Sequence, residues 1–134
     1  SVMDTAKVVL AGVGTGIDKV KLLLNAKTEF KYKIPSIFIP TNHGSGSEVT
    51  MWATIWDDVK KRKYSLSHNE LYPDIAILDC ALTLSLPLEL SIISILDALS
   101  HSFEAIWNKN ANQQSTDYAV KAIILILQEQ FILK

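Results

Sequence analysis

The chain has 134 residues, 49% of them hydrophobic, a mean hydropathy of +0.20 and a formal net charge of −1. That length carries one domain with a real core, and the near-neutral balance excludes broad electrostatic attraction to nucleic acid or to an anionic membrane. No apolar run approaches the roughly 18 residues of a membrane span, so the surplus apolar surface is expected to meet protein rather than lipid. Cys80, the single cysteine, leaves no internal disulfide to form and fits a reducing compartment; it reads as a small buried hydrophobe. No charged-then-apolar leader opens the sequence, so a cytoplasmic location is expected.

The first residues, Ser1 to Leu10, read as a helix, with Ser1 and Asp4 at the spacing of a capping pair. A chain that opens on a helix cap with no strand before it reads as a piece of something longer. The run Gly12-Val13-Gly14-Thr15-Gly16 resembles a phosphate-cradling loop only superficially, because such a fingerprint follows a strand and here a helix precedes it. It reads as a flexible turn into a second helix over about Ile17 to Asn25, with Val20, Leu23 and Leu24 on its apolar side.

Pro35 to Pro40 encloses a short apolar run, as expected of a buried strand entering a loop. That loop, Thr41 to Glu48, sets two glycines among hydroxyl side chains: a surface able to approach a phosphate or sugar closely, or simply a polar turn. Val49 to Trp56 and Lys63 to His68 read as paired strands across a charged turn, with Trp52 and Trp56 sharing a face. The basic cluster Lys60 to Lys63, offset by Asp57 and Asp58, reads as solvated. Asp74 to Asp79 is a further buried strand. Beyond it nothing past Pro87 is strand-like, which places a domain boundary near residue 80: an α/β part over 1–80 and a helical part over 81–134.

The helix from about Glu89 to Trp107, begun by Pro87, carries Asp97 and His101 four residues apart, on one face. A carboxylate and a neutral imidazole so placed can grip one divalent ion, or simply form a surface pair that stabilises the helix, and Glu104 lies a further turn along. Asn108 to Asn112 breaks this helix. Another begins at Ser115 and Asp117 and runs toward Phe131, apolar nearly all round, and such a helix expects to be covered on every side.

Taken together, these stretches resemble the iron-containing, or group III, alcohol dehydrogenase family. Ser1 to Lys7 resembles the end of Gly-Gly-Gly-Ser-x-x-Asp-x-Ala-Lys, and Pro40 to Thr50 resembles Pro-Thr-Thr-Ala-Gly-Thr-Gly-Ser-Glu-Val-Thr. Leu71 to Pro87 and Asp97 to Glu104 continue the likeness in order and spacing. The resemblance implies a dinucleotide-binding α/β domain, an all-helical domain and an active site between them, with NAD or NADP as cofactor and a small aldehyde or alcohol as substrate. It implies that Asp97 and His101 are two of four ligands to Fe²⁺, or to Zn²⁺, which acts as a Lewis acid while hydride moves to or from the nicotinamide. It further implies cofactor contacts from Ser1, Asp4, Thr41, Ser45 and Ser47, with Lys63 near the nicotinamide ribose and Leu78 flanking the adenosine.

The sequence also departs from the family pattern. Asn42 and His43 stand where the family has Thr-Ala, and Ser45 stands for a threonine. The preceding glycines are absent, and the two further histidine ligands are expected beyond Lys134, so the chain is expected to be truncated at both ends and inactive alone. His43 and His68 are poor substitutes. Trp52 to Asp57, Lys63 to His68 and Ile106 to Asn110 resemble the branch that reduces phosphonoacetaldehyde, whose dianion would find a basic partner in Lys63 or Lys109. The alternative expectation is a catalytically inactive remnant that hides its last helix in a homo-oligomer, exchanging helices between copies.

Overall fold

The computed structural model describes residues 1–24 and 29–129, the side chain of Glu129 excepted. It forms two compact units: Ser1–Pro40 with Gly46–Asp79, and Thr41–Ser45 with the segment from Cys80 onward. The first is mixed helix and strand and the second is helical, so the chain is an α/β protein with a C-terminal helical part.

In the first unit, helix α1 (Val2–Thr15) begins with a complete capping box: the Asp4 amide donates to Ser1 Oγ at 3.2 Å, and the Asp4 carboxylate accepts at the cap backbone. Its buried residues are Lys7, Ala11, Gly14 and Thr15, at i, i+4, i+7 and i+8, which is one helical stripe. The expected turn over Gly12 to Gly16 is mostly helix instead. Gly12 and Gly14 continue α1, and only Gly16 leaves it, at φ 75, a left-handed cap in which glycine avoids the Cβ penalty. Helix α2 is a single turn, Val20–Leu23, much shorter than the expected segment; Leu23 is buried while Val20 is exposed. The expected ends at Asn25 and Phe131 lie outside the described residues.

Strand β2 (Trp52–Asp57) pairs antiparallel with β3 (Arg62–Ser67), Trp56 opposite Lys63, and the exposed Trp52 and Trp56 share the outer face. The linking turn is solvated, with Lys60 N–H donating to Asp57 Oδ1 at 2.9 Å and Lys61 at φ 51. Strand β2 begins at Trp52 rather than Val49 because Ser47–Val49 winds into a 3₁₀ turn. The core of this unit is Ala11, Leu23, Ala53, Leu66 and Leu71, with Val8, Leu10, Phe30 and Ile55 packed against it. Each of its three leucines contributes about 1.5–3 kcal/mol on burial.

Strands β1 (Ile37–Phe38) and β4 (Ile75–Ala76) form a two-residue parallel pair. Phe38 is buried, but both residues of β4 are exposed, which corrects the expected buried strand over Asp74 to Asp79. A parallel pair becomes a buried layer only when helices or further strands cover both faces, and among the described residues none covers β4. Cys80 is also exposed, contrary to the expectation of a buried hydrophobe, because it opens a solvated 3₁₀ turn, Cys80–Thr83.

In the second unit, α3 (Leu88–Trp107) starts after Pro87 and stops at an extended Asn108. Helix α4 (Gln113–Glu129) starts two residues before Ser115, because the reciprocal bonds of Asn112 and Ser115, both 3.0 Å, make Asn112 the cap. The two helices pack against each other, burying Ser102 and Ala119, while Leu96, Trp107, Ile124 and Leu125 remain exposed. No helix among the described residues is long and apolar enough to cross a membrane.

Candidate functional site

The residues singled out by sequence divide between the units: Ser1, Asp4, Ser47, Lys63 and Leu78 belong to the first, and Thr41, Ser45, Asp97 and His101 to the second. In the second unit, α3 carries Asp97 and His101 one turn apart, with His101 Nε2 3.8 Å from Asp97 Oδ1 and both side chains about half exposed. That separation is too long for a hydrogen bond. Neighbouring donors on one ion, at bond lengths of about 2.0–2.2 Å, stand roughly 3.0–3.5 Å apart, so a small rotation brings both onto a single divalent cation. Oxygen with imidazole nitrogen suits iron or zinc. The pair fits such an ion as two ligands, and among the described residues no third His, Cys, Asp or Glu joins it. Glu104, expected on the same face, takes a 3.4 Å bond from Ser100 Oγ.

The same stripe of α3 carries Ser94, three residues before Asp97 and seven before His101. Here the backbone of Gly44 lies so close that a Cβ at its φ of 105 would collide with the Ser94 carbonyl oxygen. Glycine at 44 therefore lets the loop Thr41–Ser45 seat against the helix one turn from the donor pair, with Thr41, His43 and Ser45 exposed beside it.

In the first unit, Ser1 and Asp4 are joined at the N-terminus of α1, where Ser1 Oγ donates to Asp4 Oδ2 at 2.9 Å and the helix presents the positive end of its dipole. Ser47 lies just past Gly46, itself left-handed at φ 62. Hydroxyls, a helix N-terminus and turn backbone are donors of the kind that suit a phosphate or ribose. Lys63 is exposed on β3 with its Nζ 5.8 Å from the Trp56 ring, and Leu78 is 71% exposed past β4. A cavity of about 670 Å³ between α2 and the hairpin, lined by Val20, Leu24, Ile55, Trp56 and Tyr64, involves none of the candidate residues.

Sequence reading gave no role to Lys7, which is 0% exposed. Its Nζ donates to Ser47 O at 2.7 Å, Trp52 O at 2.9 Å and Thr50 Oγ1 at 3.1 Å, with Ser47 Oγ at 3.3 Å. Burial pushes its pKa below the usual lysine value, against the upward pull of Asp4 and Glu48. Two signals mark it: it closes the Ser1–Lys7 stretch of the family resemblance, and it is a lysine on the stripe otherwise held by Ala11, Gly14 and Thr15. His68 also finds a structural role, its Nδ1 accepting from the Glu70 amide at 3.2 Å and its ring stacked on Phe30 at 4.3 Å.

A family model described as iron-containing alcohol dehydrogenase matches residues 1–80. The probable alcohol dehydrogenase EutG of Escherichia coli K12 is 39% identical over 126 residues, which is 94% of this chain and 32% of that protein. An iron-containing alcohol dehydrogenase from Thermotoga maritima superposes with a TM-score of 0.85 at 30% identity, over 95% of this chain and 34% of that one. A sulfoacetaldehyde reductase from Bifidobacterium kashiwanohense, solved in complex with NAD⁺, superposes with a TM-score of 0.83 at 26% identity, over 92% of this chain and 33% of that one. The chain thus spans about a third of the length of the relatives it matches.

Proposed function

The chain belongs to the iron-containing alcohol dehydrogenase family, and from that premise we propose that it carries part of the dinucleotide site and two metal ligands of an oxidoreductase that moves hydride between NAD(P)H and a small aldehyde. The observation that carries this reading is the Asp97–His101 pair, two unlike donors one turn apart, half exposed and 3.8 Å from each other. In this reading the unit that begins at Ser1 is the dinucleotide-binding part, and the unit from Cys80 onward opens the metal-binding helical domain.

A divalent ion supplies Lewis-acid polarisation of an aldehyde oxygen, and a nicotinamide supplies the hydride. The chain's own residues do the holding. Asp97 and His101 bind the ion, with iron favoured by family and zinc allowed by the donors. Ser1, Asp4 and Ser47 meet the phosphate and ribose of the cofactor, Thr41 and Ser45 contribute from the loop seated on α3, Lys63 approaches the nicotinamide ribose and Leu78 flanks the adenosine. For the substrate we propose a small aldehyde with an anionic tail, phosphonoacetaldehyde being the specific candidate. The support is that one relative takes an aldehyde bearing a sulfonate, and that Lys63 and Lys109 are both exposed.

With two protein ligands, most of the coordination sphere falls to water, so these 134 residues alone bind metal weakly and turn over at background. The test is an NADH fluorescence titration of the Fe²⁺-loaded chain, followed by an NADH oxidation assay with phosphonoacetaldehyde and acetaldehyde. Saturable NADH binding that weakens in Lys63→Ala supports the reading; a chain that binds neither NADH nor metal overturns it.

A further inference from the structure

Lysine is almost never fully buried unless it is paired, yet Lys7 is buried without any carboxylate in salt-bridge range among the described residues. Its hydrogen-bond partners are neutral oxygens, and all of them come from one segment of six residues, Ser47 to Trp52. The three closest, at 2.7, 2.9 and 3.1 Å, match the three N–H groups of an ammonium, and two of them are carbonyls that can only accept. The stripe on which Lys7 sits is one where an apolar side chain packs without any cost of desolvation. A buried charge is weak evidence for stability, and in some proteins it fixes a conformation instead.

What it fixes here is a position. Ser47 to Trp52 passes from a 3₁₀ turn into β2, and its own bonds in the turn include Val49 N–H to Gly46 O at 3.1 Å, Thr50 N–H to Ser47 O at 3.3 Å and Thr50 Oγ1 to Ser47 O at 3.4 Å. Lys7 lies one turn along α1 from Asp4, so the side chain that grips the Ser47 carbonyl grows from the same rigid helix that presents Ser1 and Asp4. The geometry points to Lys7 as a positioning residue of the dinucleotide site, whose ammonium, rather than its bulk, fixes Ser47 relative to Ser1 and Asp4. This rests on the dinucleotide reading of those three residues given above.

The test compares three variants in a Cys80→Ser background, since Cys80 is exposed and would itself be alkylated. Lys7→Met keeps the length and removes the charge. Lys7→Cys, aminoethylated while unfolded and then refolded, restores an ammonium. Thr50→Val removes one acceptor isosterically and keeps Lys7. Each is read by amide hydrogen exchange over residues 46–52, with β3 and α3 as internal controls, and by NADH fluorescence titration.

Lys7→Met is expected to raise exchange over 46–52 and weaken NADH binding by about tenfold or more each, with the controls unchanged, and aminoethylation is expected to restore both. Thr50→Val is expected to move both in the same direction by less, and it decides the matter if Lys7→Met does not fold. Parent-like exchange and affinity in Lys7→Met, or in Thr50→Val should Lys7→Met not fold, would overturn the proposal by showing that only packing matters. If the parent fails to bind NADH, the dinucleotide reading falls, whereas the exchange comparison still decides whether the ammonium fixes the segment.

Discussion

Asp74 stands at the entry to β4, where its carboxylate pairs with Lys33 Nζ at 2.7 Å and accepts from the Ser36 amide at 2.8 Å, holding the parallel β1–β4 register together. The Lys33 bond and then the Ser36 amide hold its carboxyl below the ordinary 3.8. A carboxylate whose pKa is depressed on folding adds stability that is complete above the unfolded value and disappears as pH falls through the folded one. Asp74→Asn is therefore expected to flatten the acid limb of the stability curve below pH 3.8, leaving a smaller difference from the parent at the acid end; urea unfolding along a pH series checks this. Lys7→Met removes the ammonium's hydrogen bonds to the Ser47 and Trp52 carbonyls and to Thr50 Oγ1, and bonds to a charged group are worth about 1.5–3 kcal/mol each, so a lowered urea midpoint accompanies its effect on the loop. The closeness of Asp97 and His101 was legible because helix spacing alone sets their separation. The role of Lys7 was not, since it depends on oxygens from residues 40 or more positions away.

At the scale of elements, the sequence was most informative where termination is local. Ser1 with Asp4, Pro87 before α3 and the Asn-rich break after Trp107 each act through neighbours within a turn, and those boundaries held. The start of α4 moved by two residues because Asn112, not Ser115, supplies the cap, and Asn112→Ala is expected to cost about 1 kcal/mol in thermal or urea unfolding. Strand β4 and helix α2 were misjudged for the opposite reason: burial and length there depend on what else covers them, which periodicity does not encode. Gly44 belongs to this scale as well, because it joins a loop to a helix. Gly44→Ala forces a Cβ onto the Ser94 carbonyl at a left-handed φ and is expected to destabilise the helical unit by about 2–4 kcal/mol. Lower thermal stability together with weaker NADH binding would locate the effect in the seating of the loop that carries Thr41 and Ser45 on α3.

Across the whole molecule, apolar composition and fold must be reconciled. Nearly half the residues are hydrophobic, yet Leu88, Ile93, Leu96 and Trp107 of α3 and Ile124 and Leu125 of α4 stay open to solvent. Exposed apolar patches of this kind mark surfaces meant to be covered, and the chain spans about a third of its relatives' length. The native chain is expected to bind 8-anilinonaphthalene-1-sulfonate, with Leu125→Lys lowering the signal at unchanged helicity. The family assignment drew on four ordered stretches, from Ser1 to Glu104, none of which was specific alone. The α/β-then-helical order was legible in the same way, through the loss of strand-like sequence after Pro87.

The central claim is that α3 offers a two-donor metal face, and the most direct measurement is anaerobic titration of the chain with Fe²⁺ or Zn²⁺, followed by calorimetry and elemental analysis, beside Asp97→Ala and His101→Ala. The account predicts weak, saturable binding of one ion per chain, lost on either substitution with the helical content intact. Binding that survives both substitutions, or a parent chain that takes up no ion, would contradict it.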